Sequence, residues 1–435
     1  MPTTNQADKS DYSPRVIDME LDELLGSLPA VAVEGPKSVG KTATSERRAH
    51  TIYRLDTPDH RAVAEADPRV LLAAPTPILI DEWQLVPTVW DAVRRAVDEN
   101  RTANRFLLAG SAAPKAAPTH SGAGRIVTAR MRPLALSERQ LGPPTVSVSQ
   151  LLCGATGAVS GQTSVGLADY AREIVTSGFP GIRQLAGRAL HAQLDGYLQR
   201  IVDRDFEEQE RPVRRPDALR RWLAAYAAAT GTTTTFEKIR AAATDGHVEV
   251  TSRSTTEAYR DVLERLFMLD AVPGWLPSRN HLARLTQAPK HHLADPALAA
   301  RLLGVTAEAL LRGAVGTSGP ATMVRDGALF GRLFESLVTL SVRVYAQHAE
   351  ARVRHLRTRD GREEIDVILE TPDHRVLAIE VKLGATVGDA DVRHLLWLRE
   401  KLGDDVIDLV VVTTGSIAYR RPDGVAVVPA VLLGP

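Results

Sequence analysis

The octapeptide Gly35-Pro36-Lys37-Ser38-Val39-Gly40-Lys41-Thr42 follows the apolar run Ala30-Val31-Ala32-Val33 and matches G-x-x-x-x-G-K-[ST] at every fixed position. A buried strand that empties into such a loop restricts the fold more than any other feature of the chain. The two outer glycines let the backbone turn tightly, so that successive N–H groups point inward and cradle phosphate oxygens. Lys41 then reaches the β- and γ-phosphates, and the Thr42 hydroxyl is a ligand for Mg2+. Gly35, Pro36, Lys37, Ser38, Val39, Gly40, Lys41 and Thr42 are therefore the expected nucleotide-binding residues. Neither Gly nor Pro occurs from Thr42 to His50, which predicts a following helix with its positive end toward the phosphates.

Ile78-Leu79-Ile80-Asp81-Glu82 is a second apolar run, ending in two acids. A buried parallel strand delivers such residues to its C-terminal edge, where ligands bind. Asp81 is expected to hold Mg2+, directly or through water, and Glu82 to polarise the water that attacks the γ-phosphate. A third strand-like run, Arg105 to Ser111, ends in a small hydroxyl. Ser111 is either a sensor of the γ-phosphate or attacking water, or ordinary turn chemistry. Arg125 and Arg130 are candidates for a charge-stabilising arginine, acting in cis or from a neighbouring subunit.

The P-loop, Ile80-Asp81-Glu82-Trp83-Gln84, Ala109-Gly110-Ser111 and Arg132-Pro133-Leu134-Ala135-Leu136-Ser137-Glu138 resemble the bacterial AAA-type ATPases fused to a C-terminal domain of unknown function. Thr176-Ser177-Gly178-Phe179-Pro180-Gly181, Tyr197 through Asp205, and His292-Leu293-Ala294-Asp295-Pro296 are similar to further landmarks of that family, in the same order. The resemblance covers most of the chain. It implies ATP binding and identifies no substrate.

A chain of 435 residues is long enough for two or three domains, each with its own core. No apolar stretch approaches the roughly 20 residues that cross a bilayer, and the N-terminus lacks the basic start and apolar core of a signal peptide. The expected location is cytoplasmic, without a membrane. The single cysteine, Cys153, excludes an intrachain disulfide framework and is expected to be a small buried hydrophobe. Lys and Arg total 53, as do Asp and Glu, so any polyanion-binding surface must be local.

Residues 1–18 are polar and expected to be flexible. Strand-like and helical runs alternate over 19–145, the pattern of an α/β P-loop ATPase domain with a parallel sheet and flanking helices. Repeated breakers over 146–166 predict a linker or loop. Residues 167–315 are mainly helical. Ala218 to Ala229, Phe236 to Ala243 and a helix with the stripe Tyr259, Val262, Leu263, Leu266 and Phe267 precede a possible return strand near Lys290 to Leu293, suggesting a winged-helix-like unit. Arg253 and Arg260 suit DNA phosphates, whereas Glu257, Asp261 and Glu264 oppose them, so a packing role stands beside DNA binding. Arg211, Arg214, Arg215, Arg220 and Arg221 form either a basic patch or a solvated face.

The last segment, 316–435, carries a second constellation. A helix over 327–346 places Glu335 among apolar neighbours. Glu364 to Leu369 and Val376 to Lys382 alternate like strands, and Thr371-Pro372-Asp373-His374 supplies the turn of a hairpin. Glu380 and Lys382 share a face. Asp366 and Glu380, completed by Glu335, form a candidate Mg2+ site, and Lys382 is placed to orient water or stabilise the phosphorane. The pattern resembles the restriction-endonuclease-like D-(E)xK core, with Ile365 where a proline often stands. Arginines 352, 354, 357, 359 and 362 are suited either to DNA or RNA phosphates or to a solvated strand edge.

The resulting expectation is a Mg2+-dependent ATPase whose nucleotide state regulates a nuclease-like, DNA-binding C-terminal domain. The alternative is a non-hydrolysing nucleotide-dependent switch or scaffold with an inactive nuclease fold. A P-loop kinase is a third class, but no acceptor-binding motif is readable. A homo-oligomer or a regulatory protein partner is compatible with each.

Overall fold

Continuous apolar runs become inner strands of a parallel sheet because both faces of such strands are covered. The computed structural model describes residues 3–4, 12–111, 122–155, 157, 159–209, 215–244, 251–277, 287–314, 327–358 and 360–435. Its chain forms two compact units. The first comprises Met1–Arg132 together with Arg204–Pro212 and Asp261–Met268, and the second the remaining segments.

In the first unit β1 (Thr3–Thr4), β2 (Ala30–Glu34), β3 (Thr51–Arg54), β4 (Ile78–Asp81), β5 (Phe106–Gly110) and β6 (Val127–Arg130) form a sheet in the order β1-β3-β4-β5-β2-β6. All pairs are parallel except β1 on β3. Every residue of β4 and β5, and Ala30 to Val33 of β2, is buried. The helix Thr88–Glu99 buries Val89, Val93 and Val97, four residues apart and hence on one face. The helix after the P-loop is shorter than its Gly- and Pro-free sequence predicts. It runs Lys41–Glu46 and closes through the tighter bonds Arg48 N–H to Ser45 O and Ala49 N–H to Glu46 O.

In the second unit the strands are β7 (Val146–Ser147), β8 (Gly161–Gln162), β9 (Gly274–Trp275), β10 (Arg352–Arg357), β11 (Glu364–Glu370), β12 (Val376–Val381), β13 (Val406–Thr413), β14 (Ile417–Arg420), β15 (Ala426–Pro429) and β16 (Leu433–Gly434). Eight of them form a mixed sheet in the order β8-β14-β15-β13-β12-β11-β10-β9. β11 and β12 are the expected antiparallel hairpin. Val392, Leu395 and Leu398 of the helix Asp389–Leu402 pack with Ile365, Ile368, Val376, Ala378, Leu409 and Val411 of the sheet.

Residues 146–166, expected to be a linker or loop, contain the helix Val148–Leu152 and two short strands. β7 pairs with β16 and β8 with β14, so backbone hydrogen bonds tie this Ser/Gly/Thr-rich stretch to the end of the chain. Cys153 is exposed rather than buried. The helix Val148–Leu152 turns Val148, Leu151 and Leu152 inward and stops one residue before it. The helices Pro216–Ala228, Phe236–Thr244 and Arg253–Arg265 form where expected, and antiparallel bridges Leu269↔Leu293 and Val272↔Lys290 mark the return strand. The expected boundary at 315/316 lies outside the described residues. No described helix is long and apolar enough to cross a membrane.

Two of the sequence landmarks meet in this second unit. Asp295 is fully buried, and its Oδ2 accepts from Ser177 Oγ at 2.7 Å and from Gly178 N–H at 2.6 Å. Its Oδ1 accepts from Ala297 N–H at 2.9 Å, capping the helix Pro296–Leu302. Asp295→Ala leaves these donors unpaired in the interior and is expected to cost about 3 kcal/mol, read as a lower urea midpoint. A midpoint equal to wild type would show that the landmarks are not joined through this carboxylate.

Candidate functional site

Parallel pairing of β2, β5 and β4 sends the loops after all three strands to one edge of the sheet. The registers Glu34↔Gly110 and Asp81↔Ala109 place the P-loop, Ser111 and Asp81-Glu82 side by side there. Gly40 adopts φ 104°, a left-handed conformation that glycine takes without strain. Gly35 is needed for space instead. A Cβ at that position would lie 2.2 Å from the Met131 carbonyl oxygen.

Lys41 is 5% exposed, and its Nζ donates to the carbonyl oxygens of Gly35 at 3.0 Å and Pro36 at 2.8 Å. Burial pulls its pKa down to about 8, against the opposing effect of Glu82 and Asp81. Thr42 Oγ1 donates to Asp81 Oδ2 at 2.9 Å. Burial, followed by the adjacent Glu82, pushes Asp81 up to about 6. Glu82 sits at φ 54°, strained for a residue with a Cβ. Ser111 Oγ donates to its Oε2 at 2.9 Å, and Gln84 Nε2 donates to the same carboxylate. Ser111 thus touches the proposed water-polarising acid, which turn chemistry alone does not require.

The remaining loop residues are held from outside. Arg15, which no motif marks, donates to the carbonyl oxygens of Val39 at 3.0 Å and Arg132 at 2.7 Å. Lys37 Nζ donates to Asp205 Oδ1 at 2.6 Å. Arg130 lies opposite Glu34 at the P-loop end of β6, with its guanidinium over the Phe267 ring. Arg125 requires a correction. Val127 pairs with Val31 and Arg130 with Glu34, so Arg125 lies beyond the other end of β6, where β2 begins. There it donates to Asp98 at 2.8 Å, and an in-cis contact with a γ-phosphate is excluded by strand direction.

This donor set fits a Mg2+-nucleotide. Thr42 and Asp81 already converge, and Lys41 rests on loop carbonyls that a phosphate would displace.

The second constellation assembles differently. Asp366 Oδ2 accepts from the Val381 N–H at 2.9 Å, and Lys382 Nζ lies 3.3 Å from Glu380 Oε2. Into this group comes Lys290, 1% exposed, whose Nζ lies 2.8 Å from Glu335, 2.9 Å from Asp366 and 3.5 Å from Glu364. Burial raises the Asp366 pKa, but Lys290, the Val381 N–H and the Glu380 side chain together override it and hold that carboxyl down to about 2. Burial and then Asp366 push Glu380 well above the carboxylate range, and the same two causes bring Glu335 to about 8. Burial, then Lys290, lowers the nearby His355 to about 4. The donor set does not fit a divalent cation, because an ammonium stands between Glu335 and Asp366. Among the described residues no three acids, histidines or cysteines form a metal-holding group. Lys290 lay outside the sequence expectations, since a single lysine between Pro289 and two histidines carries no periodicity.

The expected basic surfaces are largely paired. Arg354 lies 3.3 Å from Glu370, Arg357 3.5 Å from Glu364 and Arg362 3.3 Å from Asp360. Arg220 bonds Asp203 and Asp217, Arg221 donates to Ala243 O, and Arg253 bonds Glu257. Arg211, Arg214 and Arg359 lie outside the described residues.

The family match over the P-loop segment agrees with its geometry. Residues 27–140 match the AAA domain, residues 167–309 a domain of unknown function (DUF8612) and residues 330–433 another (DUF4143). Among solved structures, the Walker-type ATPase PABY2304 of Pyrococcus abyssi is similar at 15% identity and a TM-score of 0.40, over 69% of this chain and 98% of that one. A search of curated proteins gave no match. The segment 27–140, which holds the P-loop, is thus similar to an AAA domain.

Gly35→Ala tests the cradle. It is expected to abolish binding of a fluorescent ATP analogue, because the obstacle is a backbone carbonyl. Gly26→Ala, exposed on the helix Ile17–Ser27 with nothing within 4 Å of the new Cβ, is expected to bind as wild type. Equal binding by both variants would refute the close approach at Gly35.

Proposed function

We propose that the chain is a Mg2+-dependent ATPase whose nucleotide state regulates its C-terminal domain. The observation that carries hydrolysis, beyond binding, is Glu82 held by Ser111 and Gln84 beside the Thr42–Asp81 pair. When bound, Mg2+ would neutralise phosphate charge, with Thr42 and Asp81 as its holders. Lys41 binds the β/γ oxygens, the loop amides of Gly35 to Thr42 orient the chain of phosphates, and Glu82 accepts the proton of the attacking water. Arg130, at the P-loop end of β6, is the better placed of the two arginines in cis. Glu82→Gln is expected to reduce phosphate release by about a hundredfold or more while retaining binding of a non-hydrolysable analogue. Unchanged release would remove Glu82 from the mechanism.

For the C-terminal domain the Lys290 ammonium favours the second reading, a restriction-endonuclease-like arrangement that does not hydrolyse. The three helices and the bridged return strand before it support a winged-helix-like unit, with domain limits near 167 and 315. On this reading the effector binds its target, DNA or RNA being the first candidates, rather than cutting it. No Mg2+-dependent cleavage of single- or double-stranded DNA or RNA is expected from the wild type. Cleavage by wild type that disappears in Lys382→Ala would overturn this reading and restore the nuclease.

A further inference from the structure

Lys37 is close enough to Lys41 to lower the latter's pKa, so the variable part of the P-loop adds a second ammonium to the phosphate cradle. That ammonium already has an anionic partner 168 positions along the chain. Lys37 Nζ lies 2.6 Å from Asp205 Oδ1, and the Asp205 side chain is 7% exposed against 39% for Lys37. The segment Arg204–Pro212 that supplies it is an integral part of the first unit. Asp205 also ends the five-residue π-helix Ile201–Asp205, a wide-turn geometry that concentrates at functional sites. A parallel arrangement holds Arg130, whose guanidinium lies 4.1 Å from the centroid of Phe267, a bulky residue at φ 60°. Phe267 belongs to the other inserted segment, Asp261–Met268.

We propose that Asp205 is an intramolecular stand-in for a nucleotide phosphate. Its carboxylate holds Lys37 in the nucleotide-free chain, and the phosphates of an incoming nucleoside triphosphate take Lys37 from it. This rests on the nucleotide reading of the P-loop. One carboxylate engages Lys37 alone, whereas a triphosphate engages Lys37 and Lys41 together, so the nucleotide wins the exchange. It does so at reduced apparent affinity, because it binds only the fraction of molecules in which Lys37 is released. Asp205 then gives up its 2.6 Å contact with Lys37, and its segment rearranges in response. Phosphate occupancy is thereby converted into a change at residues 201–209.

Titration of the full chain with mant-ATPγS tests this. Asp205→Asn, which keeps shape but removes charge, is expected to tighten binding about three- to tenfold, and Asp205→Glu to stay near wild type. Affinity unchanged or weakened in a natively melting Asp205→Asn protein overturns the proposal. Should that variant not fold, hydrogen exchange on the wild type decides. Faster exchange of amides 201–209 with ATPγS supports the stand-in role, and unchanged or slower exchange overturns it. Lys41→Ala separates the two levels. Loss of binding there keeps the nucleotide reading intact whatever Asp205 does, whereas wild-type binding overturns that reading and this proposal with it.

Discussion

The parallel ladder β2–β5–β4 is the constraint from which the site follows. Because β5 lies between β2 and β4, Ser111 emerges between the P-loop and the acids, close enough for its hydroxyl to bond Glu82. The same ladder brings Thr42 within 2.9 Å of Asp81, 39 residues away in sequence. A single-residue slip of β4 would send Asp81 to the opposite face. The complete burial of Ile78, Leu79 and Ile80 ties that register to the core. Strand direction decides the arginines as well. Arg130 and Arg125 are five residues apart, and the orientation of β6 leaves only Arg130 at the cradle.

Two acid clusters in the molecule resolve their charge in opposite ways. At the P-loop, burial dominates. Lys41 is shifted down and Asp81 up, each away from the ionised form. Such a site is electrostatically incomplete and gains from a ligand that brings both phosphate anions and a cation. In the C-terminal cluster the internal ammonium of Lys290, with hydrogen bonds from the Val381 N–H and Glu380, outweighs burial at Asp366, and Glu380 beside it is pushed toward the neutral form. That cluster is already compensated from within. A metal would have to displace an ammonium that is 1% exposed and bonded to two carboxylates. Removing such a partner leaves buried charge unpaired and costs several kcal/mol.

What was legible in the sequence was what local chemistry demands. Gly35 and Gly40 had to be glycines, for a carbonyl at close approach and for a positive φ, and the hairpin from Glu364 to Val381 announced itself by alternation and turn residues. The helix Gly327–His348 was readable from its apolar density. Features that depend on distant partners were not. The breakers between Ala155 and Gly166 read as a linker because β14, the strand partner of β8, lies at the far end of the chain. Lys290 reads as an ordinary lysine until the hairpin acids and Glu335 are folded around it. Cys153 failed for a simpler reason, since residue type predicts burial only on average and this cysteine falls just past the end of the helix Val148–Leu152.

The placement of Asp205 bears on how a nucleotide signal leaves the P-loop. Coupling over long distances requires a chain of bistable contacts or a rigid element that both sites bias. Here no long chain is needed. Arg204–Pro212 follows the helix Gly187–Arg200 through the π-helix Ile201–Asp205, and Asp261–Met268 holds the last turn of the helix Arg253–Arg265 and the three residues after it. Residues covalently continuous with the middle region therefore touch Lys37 and Arg130 themselves. On the proposed reading, a phosphate that competes for those two cations acts directly on the segments that carry Asp205 and Phe267. The energy available is the difference between the contacts these cations make within the chain, Asp205 and Phe267 among them, and those a triphosphate offers. That difference is largest at a loop where Lys41 repels Lys37 and only a multiply charged anion satisfies both.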